Sequence, residues 1–476
     1  MGYGGQTTPF LDCLAKESFV VPKAIVAGAP TYYSLPALLA SRSPLAMGRD
    51  VLGLSPTEPS LASVLKRAGY ATACFAAANP YISPRFGFES GFDTFSDFLK
   101  TGATESSASA DLNSDELRLA SRINRSFQRL RPAMGLIGRV YDDLYFEYCQ
   151  RVTATPESLD ELRRFPSADV IVNQAVEWLS SIGDSPFFLW LHFMDPHSPY
   201  YPKESALASL SHDTVTPDRA RYLNSYWNRS DVESNRLKKY REQVVKLYDA
   251  GIHYVDEQLG RFAQFLDQSG LWHDCVLAVT ADHGEEFLDH GGRYHAPHKL
   301  TEELIHVPLL LRIPGREMLE QQKSPFSVIH LAPTLLDSLG CSVPAEFKGR
   351  SQLGHLLTST HFDGPAISEC VEGCTNPFRL DNRRGPRILA VRTTRHKLVI
   401  HFGRGTEDLY DLELDPHERS PLPVGLDRPV RRNLLEAARE HLRQTTERLD
   451  QHIRLGAMVR ELRLELPLSV KKGLQS

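Results

Sequence analysis

The sequence predicts an α/β protein with a mainly parallel central sheet sandwiched by helices and a small C-terminal antiparallel-sheet subdomain. Apolar runs of strand length alternate with stretches of helical periodicity, and the runs lie at residues 23–27, 71–77, 187–193, 276–280 and 307–312. This alternation is typical of a parallel sheet that is covered on both faces by helices. After about residue 365, short strand-like runs follow one another directly, which indicates antiparallel pairing.

The other elements follow in chain order. A helix is expected over 34–40, and the clearest helical pattern runs from Val244 to Leu266, with apolar residues spaced by threes and fours. Residues 106–167 are helix-rich, and two interpretations remain open: a lid or substrate-selecting insertion, or a helical hairpin packed on the sheet. Short strands are expected at residues 389–392, 397–402 and 408–412, and an amphipathic helix packed on the protein at 430–466.

These patterns predict two domains. The first is a catalytic α/β domain over 1–360 with a helical insertion at about 100–167, and the second is a subdomain over 361–476 with an antiparallel sheet and a terminal helix. A chain of 476 residues is long enough to bury a large core.

Composition excludes several functional classes. The net charge of −5 provides no basic surface, so we expect no nucleic-acid partner. No apolar run reaches the length of a membrane span. The seven cysteines are scattered and odd in number, which is not the pattern of a disulfide framework.

A cluster of chemically active residues follows the strand at 276–280. The strand leads into Asp282-His283-Gly284, and two further histidines, His295 and His298, follow within one loop. Ligands bind at the carboxyl ends of strands in open α/β sheets, and a carboxylate with an imidazole is a common pair of metal ligands. The cluster therefore predicts a metal-dependent site.

The same region, DHGEEF followed by EELIHVPLLLRIPG, resembles the sulfatase branch of the alkaline phosphatase superfamily. Further blocks resemble that family in the same order along the chain: TTPFLDCLAKES, FFLWLHFMDPHSPYYP, LYDAGIHYVDEQLGRF, HLAPTLLDSLG and HKLVIHFGRGTEDLYDLELDPHE. The resemblance implies an alkaline-phosphatase-like fold, hydrolysis or transfer of sulfate or phosphate esters, and a divalent cation (Ca, Mg, Mn or Zn). The expected partner is an ester of a small molecule, lipid or glycan.

The nucleophile position falls in AGAPTYYSLPALLAS, where the resemblance places Thr31. Family sulfatases oxidise a Cys or Ser there to formylglycine, a route that threonine cannot follow. A hydroxyl bound to a divalent cation can nevertheless act as a nucleophile, which favours phosphoester over sulfate-ester chemistry. The resemblance also makes Thr31 a metal ligand together with Asp282 and His283. The alternative is a threonine that only caps a helix.

The resemblance assigns further residues to the substrate. His197 matches the histidine that contacts the ester oxygens, and His298 is favoured over His295 as the second catalytic histidine. Asn79 and His295 are candidate substrate-binding residues. The alternatives are a loop histidine at 197 and a turn-forming Asn-Pro at 79.

Family members begin with an apolar strand that ends in an acidic pair, and this chain begins just after the corresponding point. Two hypotheses follow: the sequence is an N-terminally truncated record of an active enzyme, or it is a decayed, non-catalytic protein with the sulfatase fold. The first is preferred because the other site motifs are intact. As written, the chain predicts a cytoplasmic protein, but an incomplete N-terminus would hide a signal peptide, so localisation is left open.

Overall fold

The computed structural model describes residues 3–48, 52–99, 135–210, 215–296, 299–316, 319, 323–362 and 364–447. Within these ranges no helix is both long and apolar enough to cross a membrane. The α-helices are α1 (Pro9–Leu14), α2 (Thr31–Ala40), α3 (Leu61–Arg67), α4 (Gly135–Val152), α5 (Leu159–Leu162), α6 (Ala168–Ser181), α7 (Glu204–Ser209), α8 (Pro217–Trp227), α9 (Ser234–Leu237), α10 (Arg241–Gln268), α11 (Glu302–Ile305), α12 (Leu331–Ser338), α13 (Leu353–Thr358) and α14 (Arg428–Glu447).

The strands form several small sheets. They are β1 (Phe19–Val20), β2 (Ala24–Ile25), β3 (Ala71–Ala76), β4 (Thr94–Ser96), β5 (Phe187–His192), β6 (Leu277–Thr280), β7 (Glu286–Phe287), β8 (Arg293–Tyr294), β9 (His306–Val307), β10 (Leu309–Arg312), β11 (Phe326–Ser327), β12 (Ala366–Val371), β13 (Arg387–Arg392), β14 (His396–His401) and β15 (Thr406–Asp411). Strand β3 pairs in parallel with β4 and β5, while β10 pairs antiparallel with β1 and β6. Strand β2 lies between parallel β11 and antiparallel β9.

The α/β class and the antiparallel C-terminal sheet are confirmed, although one predicted strand is divided. The run at 307–312 breaks at Pro308, so that β9 pairs with β2 and β10 pairs with β6. Proline has no N–H to give to a ladder, which explains the break. The predicted helix at 430–466 is described only as far as Glu447, and the predicted insertion only from Gly135 onward.

Strands β5 and β6 differ from their neighbours in burial. Every residue of apolar β5 and of β6 is only half-buried, whereas β10 is buried throughout and β3 at all but its first residue. In the described ranges β5 pairs only with β3, and β6 pairs only with β10. Each of these strands therefore has an edge that no described strand covers.

The C-terminal sheet consists of β12 to β15 in sequential antiparallel order. A buried charge cluster connects it to α11. Lys397 on β14 is fully buried, and its Nζ lies 3.2 Å from Glu302 Oε1 and 2.7 Å from Glu418 Oε1. Arg392 on β13 adds a second cation, 3.3 Å from Glu302 Oε2. The division of the chain at residue 360 stays a prediction.

Candidate active site

Thr31 is the first residue of α2 and is 3% exposed. The helix is buried along almost its whole length, so it fixes Thr31 rigidly within the core. The turn before it requires Gly28, because a Cβ there would lie 2.4 Å from the carbonyl oxygen of Glu369. The N-terminus of a helix offers free N–H groups and a positive dipole end, both of which favour a bound anion.

Asp282 and His283 lie just beyond the carboxyl end of β6, as predicted. The adjacent Gly284 packs so closely on α11 that a Cβ would lie 1.9 Å from the carbonyl oxygen of Glu303. The Gly284 N–H also donates to the carbonyl of Leu304 at 2.9 Å. Close backbone packing therefore explains the glycine of the Asp-His-Gly motif.

Thr31 and His283 form a direct contact across 252 positions of sequence. Thr31 Oγ1 lies 3.2 Å from His283 Nε2, and His283 Nδ1 lies 2.8 Å from the carbonyl oxygen of Gly284. A carbonyl oxygen only accepts hydrogen bonds, so Nδ1 carries the proton of the neutral imidazole. Nε2 is then the acceptor, and the hydroxyl of Thr31 donates to it.

The ionisation of this pair is set by burial and by neighbouring charges. Burial lowers the pKa of His283, and the opposing effect of Asp282 does not reverse this shift. For Asp282, burial raises the pKa, but the neighbouring imidazoles of His283 and His192 shift it below its usual value. At neutral pH the site therefore combines a carboxylate with a neutral imidazole.

His295 and His197 complete a group of three imidazoles. The His295 ring centroid lies 4.4 Å from that of His283 and 5.0 Å from that of His197. Burial lowers the pKa of His197 and of His295 to about 4 in each case. An anionic group that entered between the rings would favour their protonated forms, so the cluster suits an anionic ester.

Two more residues lie near this group, and one of them, His192, was missed as a site candidate. Glu285 Oε1 lies 3.4 Å from His295 Nδ1, and burial raises the pKa of Glu285 to about 7. His192 ends β5, its Nδ1 atom is buried without a hydrogen-bond partner, and burial lowers its pKa to about 4. The negative charge of Asp282 opposes this shift of the pKa of His192, whereas His197 and His283 add to it. A histidine that ends an apolar strand was the available sequence signal for the second residue.

Two predicted residues remain. His298 falls outside the described residues, so its assignment stays a prediction. The Asn79 side chain accepts a hydrogen bond from the Tyr81 N–H at 3.0 Å, and its Nδ2 lies 3.6 Å from Met194 Sδ. This geometry favours the turn-forming alternative for Asn79 over a substrate contact.

The donors for a divalent cation are only partly present in the described ranges. There, no group of three or more His, Cys, Asp or Glu side chains is arranged to hold a metal ion. Asp282, His283 and the Thr31 hydroxyl supply three donors with one carboxylate, which is few for a hard cation. Asp282 Oδ2 is buried without a hydrogen-bond partner and remains free to act as a ligand. These residues fit part of a metal site and fall short of a complete one.

Comparison with known proteins assigns the chain to a family. The model of the family described as Sulfatase matches residues 1–341, and one described as N-sulphoglucosamine sulphohydrolase, C-terminal, matches residues 292–447. An arylsulfatase of Clostridium perfringens is 24% identical over 451 residues, which cover 87% of this chain and 85% of that protein.

Two further similarities concern phosphorus chemistry. The multifunctional alkaline phosphatase superfamily protein PehA of Trinickia caryophylli is 25% identical over 293 residues, which span 55% of this chain and 56% of that protein. The solved phosphonate monoester hydrolase of Agrobacterium radiobacter superposes with a TM-score of 0.61 at 20% identity, covering 92% of this chain and 91% of that one. The superposition supports the predicted fold.

Proposed function

Because this chain belongs to the sulfatase family of ester hydrolases, we propose that it cleaves phosphate or sulfate esters with Thr31 as its nucleophile. The observation that supports this most is the 3.2 Å contact between Thr31 Oγ1 and His283 Nε2 at the N-terminus of α2. A threonine that served only as a helix cap would lie before the first turn, whereas Thr31 is its first residue.

The proposed reaction is an in-line displacement. The hydroxyl of Thr31 gives up its proton to water, Oγ attacks phosphorus and forms a covalent ester, and the bond to the leaving alcohol breaks as that oxygen takes up a proton from water. The imidazoles of His197 and His295 contact the non-bridging oxygens and stabilise their charge. A water molecule then attacks the same phosphorus, the bond to Oγ breaks, one proton of the water restores the hydroxyl, and the phosphate product leaves.

Phosphoester chemistry is the preferred form of this proposal because threonine cannot give formylglycine by the family's route. In protein purified with added Mg, Mn, Ca or Zn, we expect faster turnover of bis(4-nitrophenyl) phosphate than of 4-nitrophenyl sulfate. Release of 4-nitrophenol measures both reactions on the same scale. An active aryl sulfatase with little phosphodiesterase activity would refute the preference.

We further propose that the active protein contains one more strand, between β5 and β6. Support comes from the half-buried apolar strands β5 and β6, and from two buried atoms without hydrogen-bond partners at their ends, His192 Nδ1 and Asp282 Oδ2. Unpaired strand edges within a sheet are costly, and an added strand would satisfy them. A strand that ended in an acidic pair would also supply the carboxylates that the metal site lacks.

The position of Tyr3 is consistent with that arrangement. Its hydroxyl donates to Asp249 Oδ2 at 2.5 Å, and Asp249 lies two residues before Gly251 on α10. Gly251 packs against the carbonyl of Asp195, just beyond β5, and its Cβ would lie 2.6 Å from that oxygen. Tyr3 and the Asp195 carbonyl therefore contact the same turn of α10 from different sides, so the first described residues and the chain beyond β5 are joined through one helix.

The intact mass of the protein from its native source tests this proposal. We expect a mass above that of the 476 residues, with an N-terminal apolar peptide that ends in two acidic residues. A mass equal to that of these 476 residues would contradict the extra strand and would favour the non-catalytic hypothesis.

A further inference from the structure

A buried ion pair between Glu286 and Lys299 lies next to the segment that bears His295 and has no part in the proposed chemistry. Glu286, at the start of β7, is fully buried. Its Oε1 accepts from the backbone N–H of His290 at 2.9 Å and of Gly292 at 2.8 Å. Lys299 Nζ donates to both carboxylate oxygens, at 2.9 and 2.8 Å. One carboxylate thus closes the β7–β8 hairpin and binds the chain beyond it.

Lys299 follows His295 in the chain and contacts the loop of the β7–β8 hairpin as well as Glu286. Its Nζ also donates to the carbonyl of His290 at 3.3 Å, so it contacts both the hairpin loop and Glu286. His295 lies between β8 and Lys299 in the chain, and both ends of this stretch are therefore anchored. The packing leaves no spare room, because a Cβ on Gly292 would lie 2.6 Å from Lys299 Nζ and 2.7 Å from Glu286 Oε2.

The neighbouring residues Glu285 and Glu286 face different partners. Glu285 lies 3.4 Å from His295 in the imidazole cluster, whereas Glu286 binds Lys299. Successive side chains of an extended segment point to opposite faces, which explains how adjacent glutamates reach a site residue and an anchor.

The backbone before His295 is in a conformation that needs such support. Tyr294 has φ +64°, in the left-handed region that bulky residues seldom adopt. This conformation turns the chain from β8 toward the imidazole cluster. Strained residues persist where the surrounding contacts determine them, and here the β7–β8 pairing and the Glu286–Lys299 pair provide those contacts.

We propose that Glu286 and Lys299 are positioning residues that set the His295 imidazole against His283 and His197, and so determine how tightly the site binds a tetrahedral anion. This inference rests on the proposed function, in which His295 contacts the non-bridging ester oxygens. Neither residue touches the substrate, and both act through the backbone of the His295 segment.

The test combines kinetics with the direct binding of inorganic phosphate by calorimetry. We expect Lys299→Met to raise KM and the phosphate Kd tenfold or more, with a smaller fall in kcat, because the anion contact is weakened. Lys299→Arg keeps the cation and should restore both constants to within about threefold. The matched control is Lys66→Met, which removes an exposed pair with Asp93 of 2.6 Å and should leave KM and the phosphate Kd unchanged.

A second variant covers the case in which Lys299→Met does not fold. Glu286→Gln keeps an oxygen for the N–H groups of His290 and Gly292 but removes the charge that holds Lys299, so it should also weaken phosphate binding. Loss of thermal stability with KM and phosphate Kd both within twofold of wild type would overturn the proposal. If the wild type binds phosphate but turns over no ester, the proposed function fails while the binding comparison still decides this inference.

Discussion

Thr31→Ala is expected to lower turnover of the preferred ester by about 10³-fold or more, because removing a nucleophile leaves only binding and electrostatic catalysis. Thr31 is buried at the start of α2, and its hydroxyl lies 3.2 Å from His283 Nε2, so the substitution removes the attacking oxygen itself. KM should change less than kcat, because the imidazoles that contact the ester oxygens are retained. Steady-state kinetics on bis(4-nitrophenyl) phosphate measures both constants.

Two further variants serve as controls for Thr31→Ala. Thr31→Ser keeps the hydroxyl and should retain measurable turnover, whereas Thr57→Ala removes an exposed threonine hydroxyl bonded to Ser55 and should behave as wild type. Full metal-dependent turnover by Thr31→Ala would remove Thr31 from the mechanism and would leave the hydroxyl with a structural role only.

Lys397→Met is expected to lower the free energy of unfolding by about 3–5 kcal/mol, the usual cost of breaking a buried ion pair from one side. Methionine fills much of the lysine volume, so the loss arises mainly from Glu302 and Glu418, which would be left buried without their shared cation. Urea unfolding followed by circular dichroism measures the difference. The exposed-pair variant Lys66→Met should cost at most about 1 kcal/mol, and an equal loss in both variants would contradict a special role for the buried cluster.

The charges of the same cluster predict how the loss of stability in Lys397→Met depends on pH. Burial acts to raise the pKa of Glu302, but Lys397 and Arg392 outweigh it and hold the pKa at about 2. A depressed carboxyl pKa contributes stability above the unfolded value of about 4.5, and this stability is lost as the pH falls toward 2. The pKa of Glu418 is raised, chiefly by burial, although Lys397 acts to lower it, so the loss of Lys397 would raise the pKa of both carboxyls. The difference in the free energy of unfolding between wild type and Lys397→Met should therefore become smaller as the pH is lowered from 5 to 3.

Local patterns in the sequence were enough to predict the elements that bear the site. An apolar strand that runs into Asp282-His283-Gly284 and a helix that begins close to Thr31 both follow from short-range chain preferences, and both are present. The strands of the C-terminal sheet were predicted from residue 389 onward, but β12 was missed. Its sequence, AISECV, alternates weakly, and its register depends on pairing with β13.

Local patterns in the sequence could not predict the contacts between these elements. Nothing near residue 308 in the sequence indicates that β9 and β10 join different sheets, because the partner of each strand is distant in the chain. The position of His295 shows the same limit. His295 reaches the cluster through the left-handed turn at Tyr294 and the anchor at Glu286, and a single sequence specifies neither of them.

Short stretches of the chain were enough to predict the family, the α/β class and the strand-end position of Asp282 and His283, because each depends on residues close together in sequence. The folded arrangement was needed to show that Thr31 donates to His283, that His295 and His197 form one imidazole cluster, and that no described strand covers one edge of β5 and of β6. These relations join residues up to 252 positions apart. They arise when apolar burial brings distant segments together, a process that short-range patterns do not describe.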